Sequence, residues 1–399
     1  MRALFLTNEF PPTIYGGAGV HVGELTRALR PLVALDIRTF GDHDEAATNW
    51  RVRGYPPAAD LPTAEPRLQP VVGALSRDVA MVADPIDADL VHAHTWYVHL
   101  AGVLAKLAYG IPLVVTVHSL EPLRPWKREQ LGGGYDVSAW IERTALTMAD
   151  AVIAVSEGTR ADILRHFEIP PERVHVIGNG IDADYFHPVS ETGALARYGV
   201  DPSVPYVLFV GRITRQKGIV HLVRAIEHLD PGVGVVLCAG QPDTPEIAAE
   251  MTSGVRAAQA ARPNVVWIPE MVSRDDVRQL YSHASVFCCP SVYEPFGIIN
   301  LEAGACETAV VASAVGGIPE VVVDGETGLL VPVELSEADP MRPVDADRFE
   351  RNLAGAINAL MADPGARVAM GRAGRARAVE RFSWDAIAGA TVELYRTLA

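Results

Sequence analysis

The feature that most constrains this chain is a rhythm that runs once and then restarts. Short apolar runs at 2–7, 32–40, 89–94, 112–118, 151–156 and 173–180 read as strands, with helical patterns such as 20–30 and 97–109 between them. Strands spaced by helices pair in parallel, because a parallel neighbour is reached only through a crossover, and the helices then cover both faces of the sheet. A second series follows at 205–211, 234–240, 264–269, 285–291, 309–317 and 328–332. The expected fold class is therefore α/β, with two doubly wound, Rossmann-like domains facing a cleft. The Pro- and turn-rich segment 182–205 reads as the connection, which divides a domain 1–185 from a domain 186–383. The tail 347–399 is helical by pattern, with one break near Arg381–Asp385. In doubly wound sheets ligands sit at the carboxyl ends of the strands, so the chemistry belongs in the loops there.

Charge narrows the partners. A net charge of −15 argues against nucleic acid and against an anionic membrane. No run reaches the roughly 18 apolar residues that a membrane helix needs. The opening residues MRALFLTNEF lack the order of a secretory leader, and the four cysteines show no C-x-x-C spacing. A reduced, cytoplasmic protein without structural zinc is expected. Any anionic ligand must then meet local positive charge. Of 34 basic residues only Lys106, Lys127 and Lys217 are lysines, and the last two lie in loops where a compact ammonium would serve such a ligand.

Three loops carry candidate chemistry. Glycines 16, 17 and 19 follow the first strand and open a helix, where backbone N–H groups can approach a phosphate. From Gly17 the spacing is G-x-G-x-x-x-G, with Val22 where a dinucleotide fingerprint has glycine, which disfavours NAD chemistry. In GRITRQKG (211–218), Arg212 and Lys217 are close enough in one turn to reach one diphosphate. In SVYEPFGIINLEA (291–303), Glu294 and Glu302 flank a Pro-Phe-Gly turn that leads into a helix. The backbone of Phe296, Gly297, Ile298 and Ile299 would offer N–H groups at that helix start. Asp-Ala-Asp occurs at 87–89, 182–184 and 345–347 in unlike contexts, so chance explains it better than a metal motif, and no obligatory metal is expected. His94 and Trp96 end a strand, while His92 alternates with His94 and is expected to point into the core.

Taken together, GGAGVHV, GRITRQKG and SVYEPFGIINLEA resemble the retaining glycosyltransferases of the GT-B fold, in the glycogen synthase family. The resemblance covers nearly the whole chain, including a final helix, 384–399, of the kind that crosses back to the first domain. With HSLEPLRPWKREQLGGGY (118–135) added, it is similar above all to the bacterial α-maltose-1-phosphate synthases, which move glucose from ADP-glucose to glucose 1-phosphate. The resemblance implies that Arg212 and Lys217 bind the donor diphosphate, with the Gly17 N–H assisting. It also implies that Glu302 takes the ribose hydroxyls and Glu294, helped by the 296–299 backbone, the donor sugar. His118 would lie beside the anomeric centre. Catalysis would rest on His118, Glu294, Arg212 and Lys217, with no cofactor.

Two positions depart from the polymer-elongating glycogen synthases. Thr95 stands where they commonly carry Asp, and Tyr15 where they carry Lys; both belong to the acceptor-side domain. A phosphorylated acceptor fits these departures, with Arg124, Lys127 and Arg128 beside the Gly132–Gly134 turn holding its phosphate. The partners expected are therefore a nucleotide sugar and a sugar phosphate, with an α-glucan end as the rival acceptor. A nucleotide-sugar epimerase, a lipid-directed transferase and a nonenzymatic nucleotide-sugar sensor are the other readings. The sequence does not set the donor base or the oligomeric state.

Overall fold

The computed structural model describes residues 1–14, 16–57, 65–240, 242–336, 339 and 341–399. Two compact units divide the chain, Met1–Gly180 with Trp384–Ala399, and Ile181–Ser383.

The first unit is built on an eight-stranded sheet: Arg2–Leu6 (β1), Ala34–Phe40 (β2), Asp44–Ala47 (β3), Trp50–Tyr55 (β4), Leu90–His94 (β5), Leu113–Val117 (β6), Ala151–Ala154 (β7) and Val174–Val176 (β8). Their order is β3-β4-β2-β1-β5-β6-β7-β8, parallel throughout except for the antiparallel β3–β4 edge. Side chains alternate along a strand, and here both faces are apolar. Leu4 and Leu6 pack with Val91, Ala93 and Val115 on one side, Ala3 and Phe5 with Ile37, Leu90 and Val114 on the other. Continuous apolar runs are what a sheet buried on both sides requires. The second face is closed by helix Gly17–Leu29 and by the chain's last helix, Trp384–Arg396, which brings Trp384, Ala388, Val392, Leu394 and Tyr395 into that core.

The second unit holds Tyr206–Val210 (β9), Gly234–Cys238 (β10), Val265–Ile268 (β11), Val286–Cys289 (β12), Val310–Ser313 (β13) and Gly328–Val331 (β14), all parallel. The order is β11-β10-β9-β12-β13-β14. Helices Ile219–Ala225, Pro245–Ala261 and Ala346–Ala362 cover one face through a core that includes Val207, Phe209, Val235, Leu237 and Val311.

Three details differ from the sequence reading. The β3–β4 hairpin was not expected, because all four residues of β3 are exposed and it therefore has no apolar pattern to read. Segment 182–205 is no free connection: Phe186, Ala194, Leu195 and Val200 are buried, and residues 181–185 go with the second unit. The tail breaks twice. At the first break Asp363 ends one helix and caps the next, its Oδ1 accepting from Ala366 N at 2.9 Å, with Pro364 starting the new helix. The second break, at Phe382–Ser383, is the expected one. Among the described residues no helix is long and apolar enough to cross a membrane.

Candidate active site

In the second unit the loops after β9 and β12 are bonded to each other. Gln216 O accepts from Val292 N at 3.0 Å and from Tyr293 N at 3.5 Å. Gly218 adopts φ +63°, and a Cβ there would lie 2.0 Å from Pro290 O, so only glycine permits this approach. The two motifs thereby become one constellation. Lys217 Nζ donates to Glu294 Oε2 at 2.6 Å across 77 residues of sequence, and Ser291 Oγ donates to the same oxygen at 3.2 Å. Arg212 Nη1 pairs with Asp243 Oδ1 at 2.9 Å. A further glycine fixes the carboxylate loop: Gly316, at φ +53°, would put a Cβ 2.0 Å from Glu294 O, and Gly317 N donates to that oxygen at 2.9 Å.

Beyond Glu294 the chain turns through buried Phe296 and through Gly297 into helix Ile298–Ala305, with Ile298 and Ile299 partly exposed at its start. Glu302 lies in this helix and accepts from Tyr281 OH at 3.2 Å. Burial pushes its carboxyl up to about 7, against the opposing pull of the Tyr281 bond and of the Arg274 and Lys217 charges. Two cations and three carboxylates, Asp243 included, thus belong to the constellation built on the loops after β9 and β12. Such a set can neutralise a leaving diphosphate and accept bonds from sugar hydroxyls.

In the first unit Gly17 opens its helix, is exposed, and has no atom within 4 Å of where a Cβ would stand. The neighbouring Gly16 N donates to Glu9 Oε2 at 2.9 Å. Thr95 sits at φ +70°, a conformation costly for a β-branched residue, and its Oγ1 donates to Asn8 Oδ1 at 2.7 Å. Asn8 Nδ2 in turn donates to Glu9 Oε1 at 3.3 Å, which links Thr95 to the glycine loop. Tyr15 lies outside the described residues.

His118 follows β6, partly exposed, with Nε2 3.1 Å from Nδ1 of His94 at the end of β5. His21, from helix Gly17–Leu29, sets its ring edge-on to His118 at 4.7 Å. His92 is in the core as expected, between Tyr395 OH and Thr116 Oγ1, each at 2.6 Å; His94 is equally buried. Burial pushes the His21 imidazole down to about 4 and those of His92, His94 and His118 well below their ordinary value, so all four are neutral at pH 7.

The loop after His118 is less cationic than its sequence suggests. Arg124 donates to Ser119 Oγ at 2.9 Å and to Glu121 Oε1 at 3.3 Å, and Arg128 pairs with Asp136 at 2.8 and 2.5 Å. Lys127 begins the short helix Lys127–Leu131. At the carboxyl ends of β1 and β2 a cavity of about 550 Å³ is lined by Glu9, Asp42, Asp44 and Glu45, together with Asn8, Phe40 and His43.

The Asp-Ala-Asp tripeptides have separate structural employment. Asp87 pairs with the Arg2 guanidinium and Asp89 accepts from Arg2 N at 2.7 Å; Asp182 accepts from Tyr185 N at 3.0 Å, and Asp345 caps a helix through Arg348 N at 2.9 Å. Asp243, Tyr281, Arg274, Asn8, Glu9 and His21 belong to these constellations, as does Asn179, whose Oδ1 lies 2.6 Å from His21 Nδ1, and none was singled out from sequence. Only His21, inside the quoted GGAGVHV, carried a signal of its own.

Residues 15–185 match the family described as Glycosyltransferase Family 4, and residues 195–341 that described as Glycosyl transferases group 1. The α-maltose-1-phosphate synthase of Mycolicibacterium smegmatis is 50% identical over 406 residues, covering 100% of both chains. Among solved structures, sucrose-phosphate synthase from Thermosynechococcus elongatus superposes with a TM-score of 0.80 at 27% identity, covering 100% of this chain and 99% of that one. Anabaena Alr3699/HepE in complex with UDP-glucose gives 0.77 at 20% identity over 100% of both chains. These likenesses extend to the whole GT-B architecture, two parallel-sheet units included.

Proposed function

Since this chain belongs to the glycosyltransferase family of the α-maltose-1-phosphate synthases, we propose that it transfers glucose from ADP-glucose to glucose 1-phosphate with retention of the α configuration. The observation that carries the reading is the 50% identity across the full length of both chains. The second unit's geometry supports the donor half. Cleaving a glycosyl–diphosphate bond builds negative charge on phosphate; Arg212 and Lys217, each paired with a carboxylate here, would turn to it, with the Gly17 N–H assisting. Glu302 would take the ribose hydroxyls, and Glu294, already oriented by Lys217 and Ser291, the hydroxyls of glucose. The amides of 296–299 would support that sugar. His118, neutral, can accept or donate one hydrogen bond beside the anomeric carbon without adding charge there. The departing phosphate oxygen would take the acceptor's proton on the same face, so no pair of carboxylates is needed. Two side-chain cations fill the charge-neutralising role of a metal, and we infer no obligatory metal. The cytoplasm is the compartment this reading implies.

On the acceptor side, Lys127, with Arg124 and Arg128, would hold the phosphate. A specific observation favours a second reading, elongation of a neutral α-glucan: the cavity beside Asn8 and Glu9 is acidic. Incubation with ADP-glucose and glucose 1-phosphate, without glycogen, separates the two. A disaccharide phosphate with an α linkage is the expected product. Glycogen extended in a parallel tube with no such product would establish the second reading. Donor consumed alone, giving an isomerised sugar, would mean an epimerase.

A further inference from the structure

The buried histidines of the first unit do more than pack. His92 has a partner on each ring nitrogen, Tyr395 and Thr116. His21 and His94 do not: Nε2 of each is buried and makes no hydrogen bond among the described residues. Buried polar nitrogens are normally satisfied, so these orphans, like both ring nitrogens of His99, call for a partner. One ring nitrogen each from His21, His94 and His118 lies within 4.8 Å of the others.

We propose that His21, His94 and His118 form a binding site for a divalent transition-metal ion, with Zn²⁺ the best fit, and that loading it silences the transferase. The silencing rests on the role assigned above to His118; the binding does not. Imidazole donors select zinc and its neighbours over magnesium or calcium, which take oxygen ligands. The three rings come from helix Gly17–Leu29, from the end of β5 and from the residue after β6, so packed elements hold them. Asn179 supplies the outer shell. Its Oδ1 lies 2.6 Å from His21 Nδ1, which fixes the N–H there and leaves the Nε2 lone pair for the ion. Three neutral imidazoles leave a fourth position open. Tetrahedral zinc sets its nitrogens about 3.4 Å apart, so ring nitrogens up to 4.8 Å from one another must draw together on loading.

The test uses the full chain, stripped with chelator and dialysed, without nucleotide sugar. Titration with Co²⁺, followed by the visible absorption of a four-coordinate ion, and with Zn²⁺, followed by calorimetry, is expected to give one equivalent. Asn179→Ala should weaken binding roughly 10–100-fold, the usual effect of removing an outer-shell partner. His21→Ala should weaken it further, and if that variant does not fold the Asn179→Ala titration decides. In the activity assay, one equivalent of Zn²⁺ should silence wild type, chelator should restore it, and Asn179→Ala should need correspondingly more zinc. No tight binding by wild type, or binding unchanged in Asn179→Ala, overturns the site. Binding at full activity overturns the silencing. Because binding is read without substrate, its failure leaves the transferase reading standing, and a failed transferase assay leaves the metal site standing.

Discussion

Lys217 and Glu294 illustrate what single residues do at this site. Their side chains are 18% and 9% exposed, so each charge depends on the other to offset lost hydration. Lys217→Ala leaves the carboxylate nearly buried and unpaired, and should cost about 2–4 kcal/mol, toward the lower end for broken buried pairs because the ammonium keeps some solvent. The double variant Lys217→Met/Glu294→Gln removes both charges and should recover more than half of that loss in denaturant titrations, while donor turnover stays lost in both. Equal stability of single and double variants would contradict the pairing. Glu302 makes a pH-dependent prediction. Its carboxyl is raised to about 7 from 4.5, so between those values the folded chain holds a proton that the unfolded chain releases. Stability from this group therefore falls as pH rises from 4.5 to 7, and the cost is complete above 7. Relative to Glu302→Gln, wild type should lose about 2 kcal/mol between pH 5 and pH 8, an upper figure because the carboxylate is partly solvated. Urea melts at the two pH values measure it. These partnerships also mark what the sequence could convey. Glu294, Glu302, Arg212 and Lys217 stand in motifs and were legible; Asp243 and Tyr281 are ordinary residues in ordinary contexts, placed at the site only by the fold.

At the scale of elements, legibility followed burial. Strands such as Leu113–Val117 are buried on both faces and so write a continuous apolar run into the sequence, whereas β3, with all four residues exposed, leaves no trace. Segment 182–205 looked like a connection because its prolines and turn residues outnumber its buried positions, yet Ala194 and Leu195 are fully buried. Loops were legible as candidate sites but not in their mutual bonding, since nothing in GRITRQKG shows that Gln216 will accept from Val292. The glycines that permit the loop contacts give a direct test. Gly316→Ala should force the Glu294 loop outward, because both the positive φ and the 2.0 Å approach forbid a methyl group. We expect a loss of about 2 kcal/mol or more with a several-fold rise in donor KM. Gly325 is the control: it shares the positive φ, +74°, but has open space around it. Gly325→Ala should cost only about 1 kcal/mol, with donor KM unchanged. The same rise in KM for both would mean that backbone strain, rather than the contact with Glu294, sets the loop.

For the whole molecule, the decisive arrangement is that the chain leaves its first unit at Gly180 and returns to it at Trp384. The first unit is therefore incomplete until the last residues are in place. The returning helix buries Trp384, Ala388, Val392, Leu394 and Tyr395 in the core shared with Phe5, Ile37 and Val114, and Tyr395 OH bonds to His92 at 2.6 Å. At about 1.5–3 kcal/mol for each large apolar side chain, its loss removes roughly 6–12 kcal/mol. That equals the entire net stability of a typical domain, about 5–15 kcal/mol. Deleting 384–399 should thus unfold the first unit, while the second, Ile181–Ser383, has all six of its own strands and its own core and should stay folded. Limited proteolysis of the truncated chain reads this directly: a protected fragment beginning near residue 181 is expected, with the first unit digested. Tyr395→Phe, which deletes only the bond to His92, should keep both units protected and lower the first unit's melting temperature by a few degrees. Protection of the whole truncated chain would mean that the core formed by β1, β2 and helix Gly17–Leu29 is sufficient without the returning helix. In that outcome the chain's return to its first unit would have to be explained by something other than the stability of that unit.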